Sequence, residues 1–150
     1  MRIAIASDHA AVALKADLAA WLAETGHEVN DLGPQGVDSV DYPDYGYRIA
    51  EEIAAARADC GIALCGSGIG ISIAANRHPA CRCALVSEPL SARLAREHND
   101  CNAIAIGARL IGVEMAKECV TVFLATPFAG GRHGGRVEKL SHPHFTKENA

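Results

Sequence analysis

"CGIALCGSGIGISIAAN", residues 60–76, decides the fold. Residues 60–65 form a short, mostly apolar run of strand length. Glycines at 66, 68 and 70 interrupt it, and residues 71–76 read as a short helix stopped before Pro79. A buried strand that passes through a glycine turn straight into a helix is the repeating unit of a parallel sheet, because parallel strands need crossover connections.

The same alternation extends in both directions. "RIAIAS" (2–7), "HEVNDL" (27–32), "CRCALV" (81–86) and "NAIAIG" (102–107) read as four more strands. Helical periodicity covers 11–26, which ends in a glycine stop, and 44–58 and 112–126. Residues 89–99 make another helix, with Pro89 in the favoured first turn. Residues 33–43 form a loop rich in glycine, proline and aspartate, and the segment 127–145 is polar, glycine-rich and basic. Five apolar strands alternating with helices predict an α/β protein whose parallel sheet is covered on both faces. Ligands of such folds bind beyond the carboxyl ends of the strands. That rule selects Ser7-Asp8-His9, Cys65-Gly66-Ser67, Ser87-Glu88 and Gly107-Ala108-Arg109.

Bulk properties narrow the function classes. A chain of 150 residues suits one domain spanning 1–150 with a single core. A net charge of -4 gives no basic footprint for nucleic acid, so an anionic substrate needs a local positive pocket. No apolar run reaches membrane-span length. Met1 leads directly into strand-like sequence with no signal-like segment, and the six cysteines sit mostly in apolar contexts. The expectation is a cytoplasmic protein with reduced thiols rather than a disulfide framework.

Cys65 differs from the other cysteines because it ends a strand and opens a glycine loop leading into a helix. Free cysteine is often simply a core residue. At this position, however, loop amides and the positive helix end favour an anion and a reactive thiol. Spacing removes several chemistries. A cysteine phosphatase of the Cys-x5-Arg type needs arginine at position 71, which is Ile. There is no Cys-x-x-Cys pair, neither the 60/65 nor the 81/83 spacing suits zinc, and no Walker lysine follows the glycines. "GSGIG" is only part of a dinucleotide fingerprint. A thiol base or nucleophile beside an anion-stabilising loop remains. Gly66, Gly68 and Gly70 would let backbone amides approach an enediolate oxygen.

Three other clusters read in two ways. Asp8-His9 is either a helix cap or part of the crevice that holds Cys65. His98 and Asn99 end a helix, where a histidine gains from the dipole, yet imidazole is also the natural acid–base group near neutral pH. Arg132 and Arg136, spaced i and i+4 around His133, are either solvated charge or a phosphate clamp, since guanidinium donors match phosphate oxygens.

Taken together, "IAIASDHAAVALK" (3–15), "DYPDYG" (41–46), "CGSGIGISIAAN" (65–76), "SEPLSARLAREHNDCNAIAIGARLIG" (87–112) and "GGRHGGRV" (130–137) closely resemble the ribose-5-phosphate isomerase B / galactose-6-phosphate isomerase (RpiB/LacAB) family. The resemblance runs from Arg2 to about Leu140. It implies a Rossmann-like three-layer α/β/α sandwich with a five-stranded parallel sheet. It also implies an aldose–ketose isomerase that uses neither metal nor cofactor and forms dimers, sometimes tetramers, with sites shared between subunits. Carried over by motif, Cys65 is the base moving a proton between C2 and C1, and His98 opens the sugar ring with Asp8 assisting. Ser67 and the amides of Gly66 to Gly70 hold the enediolate. His9, Tyr42, Asn99 and Arg109 line the sugar pocket. Arg132 and Arg136 bind phosphate with His133 or His9, so the basic tail from about 127 to 150 completes the phosphate site. A family branch with glutamate after the glycine loop is not matched, because position 71 is Ile. Ser67 stands where cysteine-type members often carry threonine. Ribose 5-phosphate is the substrate expected first, with allose, galactose or tetrose phosphates as alternatives. The rival class is a sugar-phosphate-binding module without catalysis; such a binder needs no base, whereas here Cys65, His98 and both arginines are all present.

Overall fold

The computed structural model describes residues 1–145. Five parallel strands, β1 (Arg2–Ser7), β2 (Glu28–Asp31), β3 (Cys60–Cys65), β4 (Cys83–Leu85) and β5 (Ala103–Gly107), form one sheet in the order β2-β1-β3-β5-β4. The helices are α1 (Val12–Glu24), α2 (Tyr42–Ala54), α3 (Ile69–Ala75), α4 (Pro89–Asn99), α5 (Val113–Ala125) and α6 (Gly134–Ser141). The chain steps leftward from β1 to β2 and rightward from β2 to β3. Right-handed crossovers therefore put α1 and α2 on opposite faces, and β1 and β3 flank the point where the winding reverses.

Alternation along the strands sorts the two faces by size. Ile3, Ile5, Ile62, Leu64, Ile104 and Ile106 pack with Leu18 and Leu22 of α1, Ala92 and Ala95 of α4, and Val120 and Phe123 of α5. Truncating a central member such as Ile62 to alanine would cost about 2–5 kcal/mol. The other face carries Ala4, Ala6, Ala63, Cys65, Ala103 and Ala105 against Tyr45 and Ile49 of α2 and Ile71 and Ala75 of α3. Small residues bring these two helices close to the sheet and to each other. A Cβ on Gly46 would lie 2.7 Å from Ala74 Cβ and 2.8 Å from the Ile71 carbonyl oxygen. Cys65 thus belongs to the small-residue face, directly under the start of α3.

Boundaries differ from the sequence reading where a side chain or a turn intervenes. Strand β4 begins at Cys83 rather than 81, because the Arg82 N–H is taken by Asn102 Oδ1 at 2.8 Å. Helix α2 ends at Ala54, and Ala56 turns through φ +54°. A 3-10 turn, His9–Ala11, precedes α1. The basic tail is more ordered than its composition suggests: a 3-10 turn at Gly131–His133 runs into α6. Residues 146–150 of the expected domain and tail lie outside the described residues. No helix among the described residues is long and apolar enough to cross a membrane.

Candidate active site

Beyond the carboxyl ends of β1, β3 and β5 lies a cavity of about 380 Å³, lined by Asp8, His9, Ala10, Tyr42, Cys65, Gly66, Ser67, Gly70, Arg109 and Leu110. Its floor is the loop after Cys65. The Gly68 N–H donates to Cys65 Sγ at 3.0 Å, and the Ile69 N–H donates to Ser67 Oγ at 3.3 Å. Gly68 reaches this geometry with φ +77°, and a Cβ there would sit 2.6 Å from Leu85 and 2.9 Å from the Ile106 carbonyl carbon. The loop after β5 is bonded to the loop after β3: Ala108 N–H donates to the Cys65 carbonyl at 2.9 Å and Arg109 N–H to the Gly66 carbonyl at 3.0 Å. These bonds place the Arg109 guanidinium over Gly66, 3.4 Å from where a Cβ would stand. One cation therefore lines the same cavity as the buried thiol.

Each glycine has its own task. Gly68 turns its amide onto the sulfur. Gly70 seats a ring, since a Cβ there would be 2.5 Å from Tyr42 Cε2. Tyr42 reaches this place because α2 begins at that residue, with Pro43 in its first turn. The cap reading of Asp8 also holds: Oδ1 accepts from the Ala10 N–H at 2.9 Å while the residue walls the cavity. His9 Nδ1 accepts from the Val40 N–H at 3.2 Å, which leaves Nε2 for the cavity. Ser87-Glu88, picked out by the strand-end rule, lies outside the cavity. The Glu88 carboxylate caps α4 through the Leu90 and Ser91 amides. Sequence reasoning missed Leu110, whose neighbour Arg109 was the available signal, and Val40, which acts through backbone alone.

The five remaining cysteines do not line this cavity. Burial pushes the Cys60 and Cys81 thiols up to about 12 and those of Cys101 and Cys119 up to about 11, and it raises Cys83 as well. All six cysteines are free.

His98, Asn99, Arg132, His133 and Arg136 do not reach this cavity. Helix α4 starts beyond β4 and returns the chain to the amino-terminal edge of the sheet. Its eleven residues span about 16 Å. His98, in its last turn, stacks on His133 with ring centroids 4.4 Å apart and planes at 10°. Partial desolvation first, then His98, Arg132 and Arg136, hold the His133 imidazole below its ordinary value. Neither arginine has an ion-pair partner among the described residues. Asn99 lines a different cavity with Arg82 and Leu140. Among the described residues, one chain thus carries a thiol-bearing cavity at one end of its sheet and a cationic cluster without ion-pair partners, with two imidazoles, at the other.

Fold and site together define a class. Residues 3–140 match the model of the Ribose/Galactose Isomerase family, and the chain belongs to that family. Among its relatives, the chain is 44% identical to ribose-5-phosphate isomerase B of Escherichia coli, over 93% of this chain and 94% of the relative. It is 39% identical to D-erythrulose-4-phosphate isomerase of Pectobacterium atrosepticum, over 95% and 94% of the two chains. The solved structure of Clostridium thermocellum ribose-5-phosphate isomerase B superposes with a TM-score of 0.93 at 45% identity, covering 94% and 95%.

Proposed function

We propose that this chain is an aldose–ketose isomerase that converts ribose 5-phosphate to ribulose 5-phosphate, with Cys65 as the proton-transferring base. The observation that carries the reading is the placement of Cys65: its Sγ lines the cavity at the winding reversal and accepts from the Gly68 amide. In the open-chain aldose the C1 carbonyl acidifies the C2 proton. Cys65 sulfur takes that proton, the C2–H electron pair becomes the C1–C2 double bond, and the carbonyl pair moves onto O1. Loop amides and the Ser67 hydroxyl stabilise this enediolate oxygen. The thiol returns the proton to C1, O2 loses its proton as the C2 carbonyl forms, and O1 gains one.

Ring opening and phosphate binding are assigned to a second copy of the chain. His98 lines none of the cavity that holds Cys65, so in this reading it comes from the second copy and is assisted by Asp8, which walls that cavity. Exposed Ile69, Ile73, Leu85, Leu90 and Leu110 offer an apolar surface for that copy. In this arrangement residues 1–150 work as one isomerase domain, and the basic tail, carrying Arg132, His133 and Arg136, supplies phosphate donors to its neighbour. Asn99 joins the sugar pocket in the same way. Six free cysteines suit a reducing cytoplasm.

Initial rates on four-, five- and six-carbon aldose phosphates test the substrate. The erythrulose-phosphate relative makes the tetrose the main competitor. Highest kcat/KM on ribose 5-phosphate is expected, and a preference for another length reassigns the substrate. Mixing inactive Cys65→Ala and His98→Ala chains tests the composite site: regained activity is expected, and its absence after demonstrated subunit exchange argues for sites within one chain.

A further inference from the structure

Lys15 is among the largest fully buried side chains, at 1% exposure, and it does not line the cavity. A buried ammonium requires a partner. Its Nζ donates to both oxygens of Asp31, at 2.5 and 2.6 Å. Asp31, the last residue of β2, also accepts from the Gly33 N–H at 2.9 Å and from Gln35 Nε2 at 3.1 Å. Burial opposes ionisation of Asp31, but the bonds from Lys15, Gly33 and Gln35 outweigh it and hold the carboxyl below its ordinary value.

These bonds anchor the loop 32–41 at one end. The Gly33 carbonyl accepts from the Ser7 N–H at 3.0 Å, beside Asp8 and His9. Leu32 and Val40 pack against the small-residue core. At the other end the Val40 N–H donates to His9 Nδ1, and Tyr42 follows two residues later. The bond made by one imidazole nitrogen decides which nitrogen carries the proton. An amide donating to Nδ1 leaves the proton of the neutral ring on Nε2. Well-packed apolar residues can often replace a buried ion pair without loss of stability, so stability alone does not explain this one.

We propose that Lys15 and Asp31 are positioning residues: through the loop 32–41 they hold the Val40 amide on His9 Nδ1 and fix His9 as an Nε2–H donor aimed at a sugar-phosphate oxygen. The ligand, though not the device, rests on the isomerase reading above.

The test uses the full chain carrying Lys15→Met and Asp31→Leu together. Nitrogen-15 imidazole spectra, recorded above the imidazole titration range, report the His9 tautomer, with His9→Gln identifying the signal. The native chain should show Nδ1 unprotonated, and the double variant should show a tautomer mixture. The kcat/KM should fall about a hundredfold, the scale of an ångström-sized misplacement. In a His9→Ala background the same pair of changes should cost no more than about threefold, because coupled sites are not additive. An unchanged His9 tautomer in the double variant, or losses that multiply in the His9→Ala background, would overturn the proposal. Should the double variant not fold, Asp31→Asn removes the charge while keeping the shape, and is judged by the same readouts. If the native chain isomerises no aldose phosphate, the isomerase reading fails, while the His9 spectra still decide the positioning role.

Discussion

Gly70→Ala separates the stability of the fold from the fitness of the site. A Cβ at residue 70 would lie 2.5, 2.6 and 3.0 Å from Cε2, Cζ and Cδ2 of Tyr42. Ordinary carbon contacts begin near about 3.5 Å, so the ring must retreat by roughly 1 Å. Tyr42 is 43% exposed, so it can swing outward instead of forcing the sheet apart. The backbone at Gly70 is helical and its φ is not positive, and alanine in a helix gains up to about 1 kcal/mol over glycine. That gain and the lost ring contact nearly cancel. Thermal unfolding should shift by no more than about 2–4 °C for a chain of this size. Catalysis should not be spared, because a displacement of about 1 Å in a positioning group costs up to about a hundredfold. The assay is kcat/KM on ribose 5-phosphate for Gly70→Ala, Tyr42→Ala and the double variant. The double variant should be no worse than Tyr42→Ala alone. Native kcat/KM in Gly70→Ala, or a further tenfold loss on top of Tyr42→Ala, would refute the idea that Gly70 exists to seat the tyrosine.

Three further outcomes follow from the site. Cys65→Ala should lose about two to four orders of magnitude in kcat, the usual range for removing a general base, and Cys65→Ser should be nearly as inactive; near-native turnover in either would leave the loop as an anion cradle only. Iodoacetamide should modify Cys65 before the five cysteines whose thiols burial raises, with substrate protecting it; peptide mapping showing an equally fast second site would count against this. Arg132→Ala and Arg136→Ala should each raise KM for phosphorylated sugar at least about tenfold while leaving the circular dichroism spectrum unchanged, as loss of a charge-assisted bond implies; an unchanged KM in both would remove them from the phosphate site. Because Asp31 titrates below its ordinary value in the fold, it stabilises the protein fully above about pH 4 and progressively less as pH falls toward the depressed value. Acid unfolding of Asp31→Asn should therefore be less steep in that window, and an identical slope would assign the acid sensitivity elsewhere.

The sheet was legible because four of its strands are short apolar runs bounded by turns, although β2 has Val29 as its one apolar residue, and α4 was legible to the residue because Pro89 and the polar Asn99-Asp100 mark its ends. The strand order was not legible. It depends on β3 pairing with β5 rather than β4, a choice made by tertiary packing. The cavity residues Asp8, His9, Cys65, Gly66, Ser67 and Arg109 were legible from the strand-end rule, since topology alone brings strand ends together. His98 shows the converse. A residue in the last turn of a crossover helix must sit at the far edge of the sheet, so its separation from Cys65 was implicit in the strand–helix order. Lys15 was hidden for another reason: a lysine within a helix reads as solvent-facing, and only the arrival of Asp31 from β2 makes its burial tolerable. Gly70 was read as letting its amide approach substrate, and nothing in the sequence signalled that its missing side chain also makes room for the Tyr42 ring, 28 residues earlier in the chain.

The sheet distributes resistance to opening unevenly. Strand β3 is bonded along both edges, to β1 and to β5, so the backbone under Cys65 should exchange its amide hydrogens only when most of the molecule opens. Helix α6 buries none of its side chains within one chain, and among the described residues its visible tethers are the Arg82–Ser141 bond at 3.5 Å and, in the preceding segment, the Ala129–Glu97 backbone bond at 3.0 Å and the His98–His133 ring stack. Such a segment can detach locally at little cost and expose almost no apolar surface. Warming would then release the cationic tail while the thiol loop stays native. On the proposed phosphate role of the tail, activity would fade at a temperature where far-ultraviolet circular dichroism still reports an intact sheet, and cooling would restore it without any refolding of the core.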